Sequence, residues 1–312
     1  MSLNSGLAPN VVKTAIDKVF MAEFDYVSAP GRALATDALV FMQDSTDRAA
    51  VITEQFQGVG YDGERAETQE VPQGTSRVGN QKTSSVLNYS KALDISKNFF
   101  DDDLHSVVSK NIRDMARLAR VTRDRNAFEK YNLGFTTLLT NDGSSLFNNS
   151  HTTLGGQTVD NLETVVLSDA SLETAFVSLQ EQVTQDGTLG GHEPACLLVP
   201  TQLFKEATVI AKSELVSGAA DNDLNYYSQV YPGLQVKNNP FLGSSVGLTG
   251  SNTAWFLLSR NHSMMRWERQ GIQTALVDWK FQRNNDYIYK AEYREVVDAI
   301  SFEGMVGNDG TT

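Results

Sequence analysis

Apolar positions along this chain recur at spacings of three and four in some stretches and at every second position in others. Over residues 10–24, Val12, Ile16, Val19, Phe20 and Phe24 share one stripe, which predicts an amphipathic helix. Ala29-Pro30-Gly31 breaks the pattern. This helix either packs on its own core or acts as an arm that reaches a neighbour. The longest helical run carries Leu104, Val107, Val108, Ile112, Met115, Ala116 and Ala119. Asp101-Asp102-Asp103 stands at its start, where carboxylates suit the positive end of the helix dipole. A helix from 104 to about 130 spans roughly 40 Å. Arg113, Arg117, Arg120, Arg123 and Arg125 lie mainly off the apolar stripe, which suits a solvated or salt-bridged face better than one turned to DNA. A further helix is expected from Ser168 or Asp169, with Leu172, Ala175, Phe176, Leu179 and Val183 inward. Another follows Pro200, with Thr201 as its cap and Leu203, Phe204, Ala207, Ile210 and Ala211 inward.

Period-two and short continuous apolar runs predict strands. Leu87, Tyr89, Leu93 and Ile95 alternate. Leu197-Leu198-Val199, Leu234-Gln235-Val236 and Ala254-Trp255-Phe256-Leu257-Leu258 read as strands of an α/β block, with Asp221-Asn222-Asp223 a loop inside it. Residues 275–283 and 287–296 flank Asn284-Asn285-Asp286 and suit a hairpin. Ala275, Val277, Trp279 and Phe281 alternate on one arm; Tyr287, Tyr289, Ala291 and Tyr293 alternate on the other. The tail from Gly304 is expected to fray.

Residues 55–85 fit none of these patterns. Five glycines punctuate a polar stretch whose few large apolar residues include Val59, Tyr61, Val71 and Val78. A segment of this kind buries little surface alone, and a long connection without a core is functional or disordered. It reads either as an extended hairpin completed by another subunit or as a loose surface loop.

Charge and chemistry narrow the functional classes. The net charge is −12 and the pI about 4.8, the wrong sign for gripping nucleic acid through phosphates. A single cysteine, Cys196 within an apolar run, excludes an internal disulfide and reads as a small buried hydrophobe. No apolar run approaches membrane-spanning length. His105, His151, His192 and His262 show no metal-ligand spacing, and there is no Cys-x-x-Cys, Walker loop, Gly-x-Gly-x-x-Gly or Gly-x-Ser-x-Gly. Ser150-His151 is adjacent in sequence, which does not give nucleophile–base geometry; His151 is expected to pin a turn by hydrogen bonding. No catalytic, metal or cofactor-binding residue is predicted, and no cofactor. Extended appendages, one long helix and no site point to a self-assembling structural protein.

Several strings, in order, carry a resemblance. They are Ser45-Thr46-Asp47-Arg48, Ile95-Ser96-Lys97 leading into Asp102-Asp103-Leu104, and Asp142-Gly143 with Leu146-Phe147 and His151. Leu167 through Glu173, Leu197-Leu198-Val199-Pro200, Asp221-Asn222-Asp223, Asn239-Pro240-Phe241-Leu242 and Ala254-Trp255-Phe256-Leu257 follow. Across residues 45–300 the chain resembles the major capsid proteins of tailed bacteriophages with the fold of phage HK97, in the branch related to the major head subunit of phage Mu. The resemblance implies an α+β, HK97-like fold: an N-terminal arm (1–54), an extended loop (55–95), a peripheral domain with a spine helix (96–189), an axial domain (190–270) and a return to the peripheral domain (271–312). It implies self-assembly into hexamers and pentamers of an icosahedral virion shell that encloses double-stranded DNA without sequence-specific binding. A scaffold protein, a portal and a decoration protein are the expected partners, with no membrane and synthesis in the bacterial cytoplasm. The chain opens almost directly on the arm, so scaffolding is expected from a separate protein or a segment already removed. Lys82 and Lys91 have no motif pairing them with Asn284, Asn285 or Asn308, so no crosslink is expected. Candidate subunit contacts are Glu64, Arg65, Glu67, Glu70, Arg77 and Lys82, the charged residues that would set register between copies. The neighbouring reading is an encapsulin-type nanocompartment shell of the same fold; the reading from another class is a hydrolase using Ser150 or Cys196.

Overall fold

The computed structural model describes residues 8–26, 31–98, 102, 107–215, 224–244, 247, 249–277 and 286–311, with the side chains of 8–12 left aside. Asp101, Asp103, Leu104, His105, Asp221-Asn222-Asp223, Trp279, Phe281, Asn284 and Asn285 lie outside the described residues, as does the side chain of Val12.

The first helix, α1 (Ala8–Phe24), places Ile16 and Phe20 in a buried cluster with Val108, Ile112, Met115 and Ala116 of the long helix α2 (Val107–Leu133). It thus packs on its own chain. Asp17 anchors it by accepting hydrogen bonds from Thr274 (2.7 Å) and Tyr289 (3.0 Å). Beneath these helices runs a four-stranded sheet in the order β1-β11-β12-β4, formed by β1 (Met42–Ser45), β4 (Leu87–Ser96), β11 (Met264–Val277) and β12 (Asp286–Ala299). The β11–β12 pair is antiparallel with bulges near Gln270, and β4 pairs antiparallel with β12. Strand β11 begins eleven residues before the predicted 275, since its first half (Met264, Arg266, Trp267) is buried on both faces and shows no clean alternation.

A second sheet has the order β7-β13-β10-β8-β9, from β7 (Leu162–Glu163), β8 (Pro194–Val199), β9 (Gln235–Asn238), β10 (Trp255–Ser259) and β13 (Met305–Asn308). Alternate residues feed opposite cores. Leu197, Val199, Trp255, Leu257 and Val306 face α3 (Asp169–Gln180), α4 (Phe204–Lys212) and α5 (Tyr226–Val230). Cys196, Leu198, Phe256, Leu258 and Met305 face Phe128 and Tyr131 of α2, together with Phe41 and Phe147. Burial on both faces explains the continuous apolar runs in β8 and β10.

Three local expectations are corrected. The tail from Gly304 is not frayed: β13 lies between β7 and β10 and all four of its residues are buried. Gly307 belongs there because an added Cβ would sit 2.4 Å from the Phe147 ring. Thr201 does not cap α4; a turn over 201–203 intervenes and Leu203 takes the cap position without a side-chain bond. Arg123, expected on a solvated or salt-bridged face, is salt-bridged to Glu295 but is buried and not solvated. The cap of α3 is the predicted Ser168, which accepts from the Ser171 backbone N–H while the Ser171 hydroxyl accepts from the Ser168 N–H.

Candidate subunit interface

The segment without a pattern of its own begins as a hairpin. Strands β2 (Ala50–Gln57) and β3 (Arg77–Ser85) form a separate two-stranded sheet, joined by residues 58–76 without regular structure. Its first strand starts inside the span assigned to the arm, and Leu87–Ser96 pairs with β12 instead of with the hairpin.

Because successive side chains of a strand point to opposite faces, the hairpin has two distinct sides. Thr53, Gln55, Lys82 and Ser84 face the body. Gln55 donates to Gln185 Oε1 at 2.7 Å and Thr53 to Asn141 Oδ1 at 3.4 Å. Lys82 Nζ donates to Asp298 Oδ1 (2.6 Å) and to the carbonyls of Leu139 (2.7 Å) and Ala299 (2.8 Å). Ser84 donates to the other Asp298 oxygen at 2.6 Å. On the outer side Phe56 lies opposite Val78, with Ile52 two steps from the Glu54–Gln81 pair. Ile52, Phe56, Val59, Tyr61, Val71 and Val78 are each between 53% and 72% exposed. Six large apolar residues exposed on so small an element make it a candidate interaction surface, although the Tyr61 hydroxyl also accepts from the Leu189 N–H of the body (3.0 Å).

The candidate contact residues divide between these two sides. Glu64, Glu67 and Glu70 are exposed and make no ion pair among the described residues. Arg65 donates to the Gln69 carbonyl and Arg77 to Gln57 across the strand pair (2.7 Å), both within the hairpin. Lys82 stands apart, since its ammonium is spent on the chain's own body. Asp62, Glu64, Glu67 and Glu70 against Arg65 leave a net charge of −3 on the tip, four acids less one base.

Sequence reading missed one further surface. A groove of about 270 Å³ runs between α2 and the four-stranded sheet, lined by Tyr89, Met115, Leu118, Ile272, Ala291 and Tyr293. Lys91 lines it too, and Arg125 is exposed seven residues, or two helical turns, beyond Leu118. The signal was there as an apolar Leu118 off the main stripe of α2, 47% exposed.

Elsewhere, the polar groups of interest are tied into the fold. His151 is fully buried, with Nδ1 2.7 Å from Asp142 Oδ2, Nε2 3.2 Å from the Leu146 carbonyl and its ring stacked on Phe302. It pins the 140–146 turn as predicted, while the Ser150 hydroxyl turns to Asn148 (3.1 Å). Burial pushes the Asp142 carboxyl up, but its hydrogen bonds with His151, the Thr140 hydroxyl and the Ser144 N–H outweigh that and hold it below its ordinary value. Burial pushes the Cys196 thiol far above its ordinary value, so it stays protonated. No group of three or more His, Cys, Asp or Glu among the described residues is placed to hold a metal ion, and no described helix is long and apolar enough to cross a membrane.

Comparison with known proteins places this geometry. A family model described as phage capsid protein matches residues 80–308. No curated protein matches the chain. Among solved structures, the capsid of the cyanophage P-SCSP1u aligns with a TM-score of 0.58 at 9% identity, covering 91% of this chain and 90% of that one. A virus-like particle from Pyrococcus furiosus aligns at 0.55 with 9% identity, covering 95% and 98%. A Microbacterium phage Oxtober96 structure aligns at 0.54 with 11% identity, covering 91% and 93%. At these identities the likeness is one of fold, and the fold is HK97-like.

Proposed function

The chain belongs to the phage capsid protein family and is a structural capsid protein, and on that premise we propose how its copies join. The acidic, apolar hairpin tip of one copy lies in the groove beside α2 of the next. Phe56, Val59 and Tyr61 meet Leu118, Met115 and Ile272, and Glu67 and Glu70 meet Lys91 and Arg125. The observation that carries this reading is the pairing of an exposed apolar face bearing net negative charge with an apolar groove flanked by cations. Copies joined in this way form a heterologous contact, which closes into rings when the rotation is right. Hexamers and pentamers of an icosahedral shell around double-stranded DNA follow, with weak contacts summing through multivalency. The sheet with β8, β9, β10 and β13 forms the axial part of the subunit, and the sheet with α1 and α2 the peripheral part. Scaffold, portal and decoration proteins are the further partners of assembly in the bacterial cytoplasm. The chain acts by assembly and not by catalysis.

Sedimentation velocity with electron microscopy tests this reading. Phe56→Glu and Leu118→Glu should each leave a folded protein that forms no shells or rings. Glu67→Lys with Glu70→Lys should do the same, and adding Lys91→Glu with Arg125→Glu should restore assembly. Shells from Phe56→Glu at the parent's yield would overturn the proposed contact. A shell filled with a protein cargo in place of nucleic acid would favour the compartment reading.

A further inference from the structure

Two turns of this chain are built alike. Leu139-Thr140-Asn141-Asp142-Gly143-Ser144 and Val183-Thr184-Gln185-Asp186-Gly187-Thr188 share a Thr-x-Asp-Gly-Ser/Thr pattern. In each, the Thr N–H donates to the carbonyl four residues on (Thr140 to Ser144, 2.9 Å; Thr184 to Thr188, 2.8 Å). The Asp carboxylate accepts from the Thr hydroxyl and from the backbone N–H two residues later. The glycine follows at φ +85° in one and +81° in the other, where only glycine is unstrained. Both turns are closed by an isolated bridge, Leu139 to Ser145 and Val183 to Leu189.

Each turn aims its variable residue at the hairpin. Asn141 takes the Thr53 hydroxyl and Gln185 takes the Gln55 amide, and Thr53 and Gln55 are successive body-facing positions of β2. Gln185 is itself held from two other directions, accepting from the Leu154 N–H (3.3 Å) and donating to Glu303 (3.1 Å). On β3, Lys82 and Ser84 share the carboxylate of Asp298, and Lys82 also reaches the Leu139 carbonyl of the first turn. Every one of these links is polar, while Ile52, Phe56 and Val78 point the other way. Leu154 lies against Gly79 of β3 and the Leu189 N–H reaches the Tyr61 hydroxyl, but these polar links are the ones that fix the angle of both strands, each worth a modest net amount against water.

We infer that the twin Thr-x-Asp-Gly turns, together with Asp298, form a clasp that sets the direction in which the hairpin leaves the body, which makes Gln185 and Asp298 positioning residues for assembly. The assembly half of this inference rests on the interface proposed above; the clasp itself does not. The test is a pair of spin labels on the full chain at Gln81→Cys, on the outer face of β3, and Glu181→Cys, on the body. Buried Cys196 is protected from the label. The parent should give one narrow distance distribution. Gln185→Ala with Asp298→Ala should broaden it about twofold, and so should the hairpin-side variant Gln55→Ala with Lys82→Ala, which leaves the body's own residues intact. The hairpin-side variant should keep the parent's melting temperature for the body, and in both variants assembly yield should fall about tenfold. An unchanged distribution in the hairpin-side variant overturns the clasp, as does a parent distribution that is already broad. Broadening without loss of assembly overturns the positioning role. If the parent itself forms no shells, the interface fails alone, and the distances still decide the clasp.

Discussion

Arg266 donates through Nε and Nη2 to Glu295 Oε2 (2.9 and 2.6 Å), through Nη1 to Gln43 (2.7 Å) and through Nη2 to Glu268 (2.6 Å). Burial works against its charge, but Glu295 and Glu268 outweigh that and raise its pKa. Arg123 reaches the same Glu295 at 3.2 Å, with its guanidinium over the rings of Phe24 and Tyr293. One carboxylate thus holds two buried cations and ties α2 to β11 and β12. Glu295→Ala should cost about 3–5 kcal/mol in denaturant unfolding, because it strands both charges in a desolvated site. No spacing in the sequence announces this, since its members come from four separate elements. His262 shows a different residue-level effect. Burial drives its imidazole from 6.5 down to about 4, with the Leu39 backbone opposing weakly. Between those values the unfolded chain binds a proton that the folded chain refuses, so stability falls as pH drops from about 6.5 to about 4. Burial lowers His192 in the same direction. Urea midpoints measured across that range should decline, and His262→Asn, which keeps an acceptor for the Met264 N–H, should flatten the decline.

At the scale of elements, periodicity located α1, α2, α3, β8 and β10, because each buries one stripe or a continuous run. It failed where pairing and not patterning decides the outcome. Strand β13 reads Met305-Val306-Gly307-Asn308, too short and too glycine-rich to signal a strand, yet its neighbours β10 and β7 supply partners for its backbone. Ending the chain at Ser301 should abolish soluble folded protein, whereas a frayed tail would be dispensable; expression and circular dichroism separate the two. Gly307→Ala should cost about 1–3 kcal/mol by forcing the Phe147 ring to move. The polar hairpin was legible as an element lacking a core, but the assignment of its strands was not. Its inner face is stitched by residues such as Asp298, more than 200 positions away from Lys82. Removing residues 60–75 should leave the melting temperature within a few degrees of the parent's while abolishing assembly, since the fastened bases of β2 and β3 remain.

For the whole molecule, the net charge of −12 means that copies repel one another at long range and meet through local complementarity. Raising salt from low to physiological levels should therefore speed assembly seen by light scattering, until screening of the proposed Glu–Lys and Glu–Arg contacts takes over at high salt. The placement of β13 also bears on how a shell is made in a crowded cell. This strand is synthesised after every other strand of its sheet, yet it occupies an interior position between β7 and β10. A chain lacking residues 305–308 has no strand to join β7 to β10 and cannot complete that sheet. Completion of this sheet is thereby coupled to its latest-made strand: until residues 305–308 are seated, β7 and β10 have no bridge and the apolar faces of β10 stay open to water.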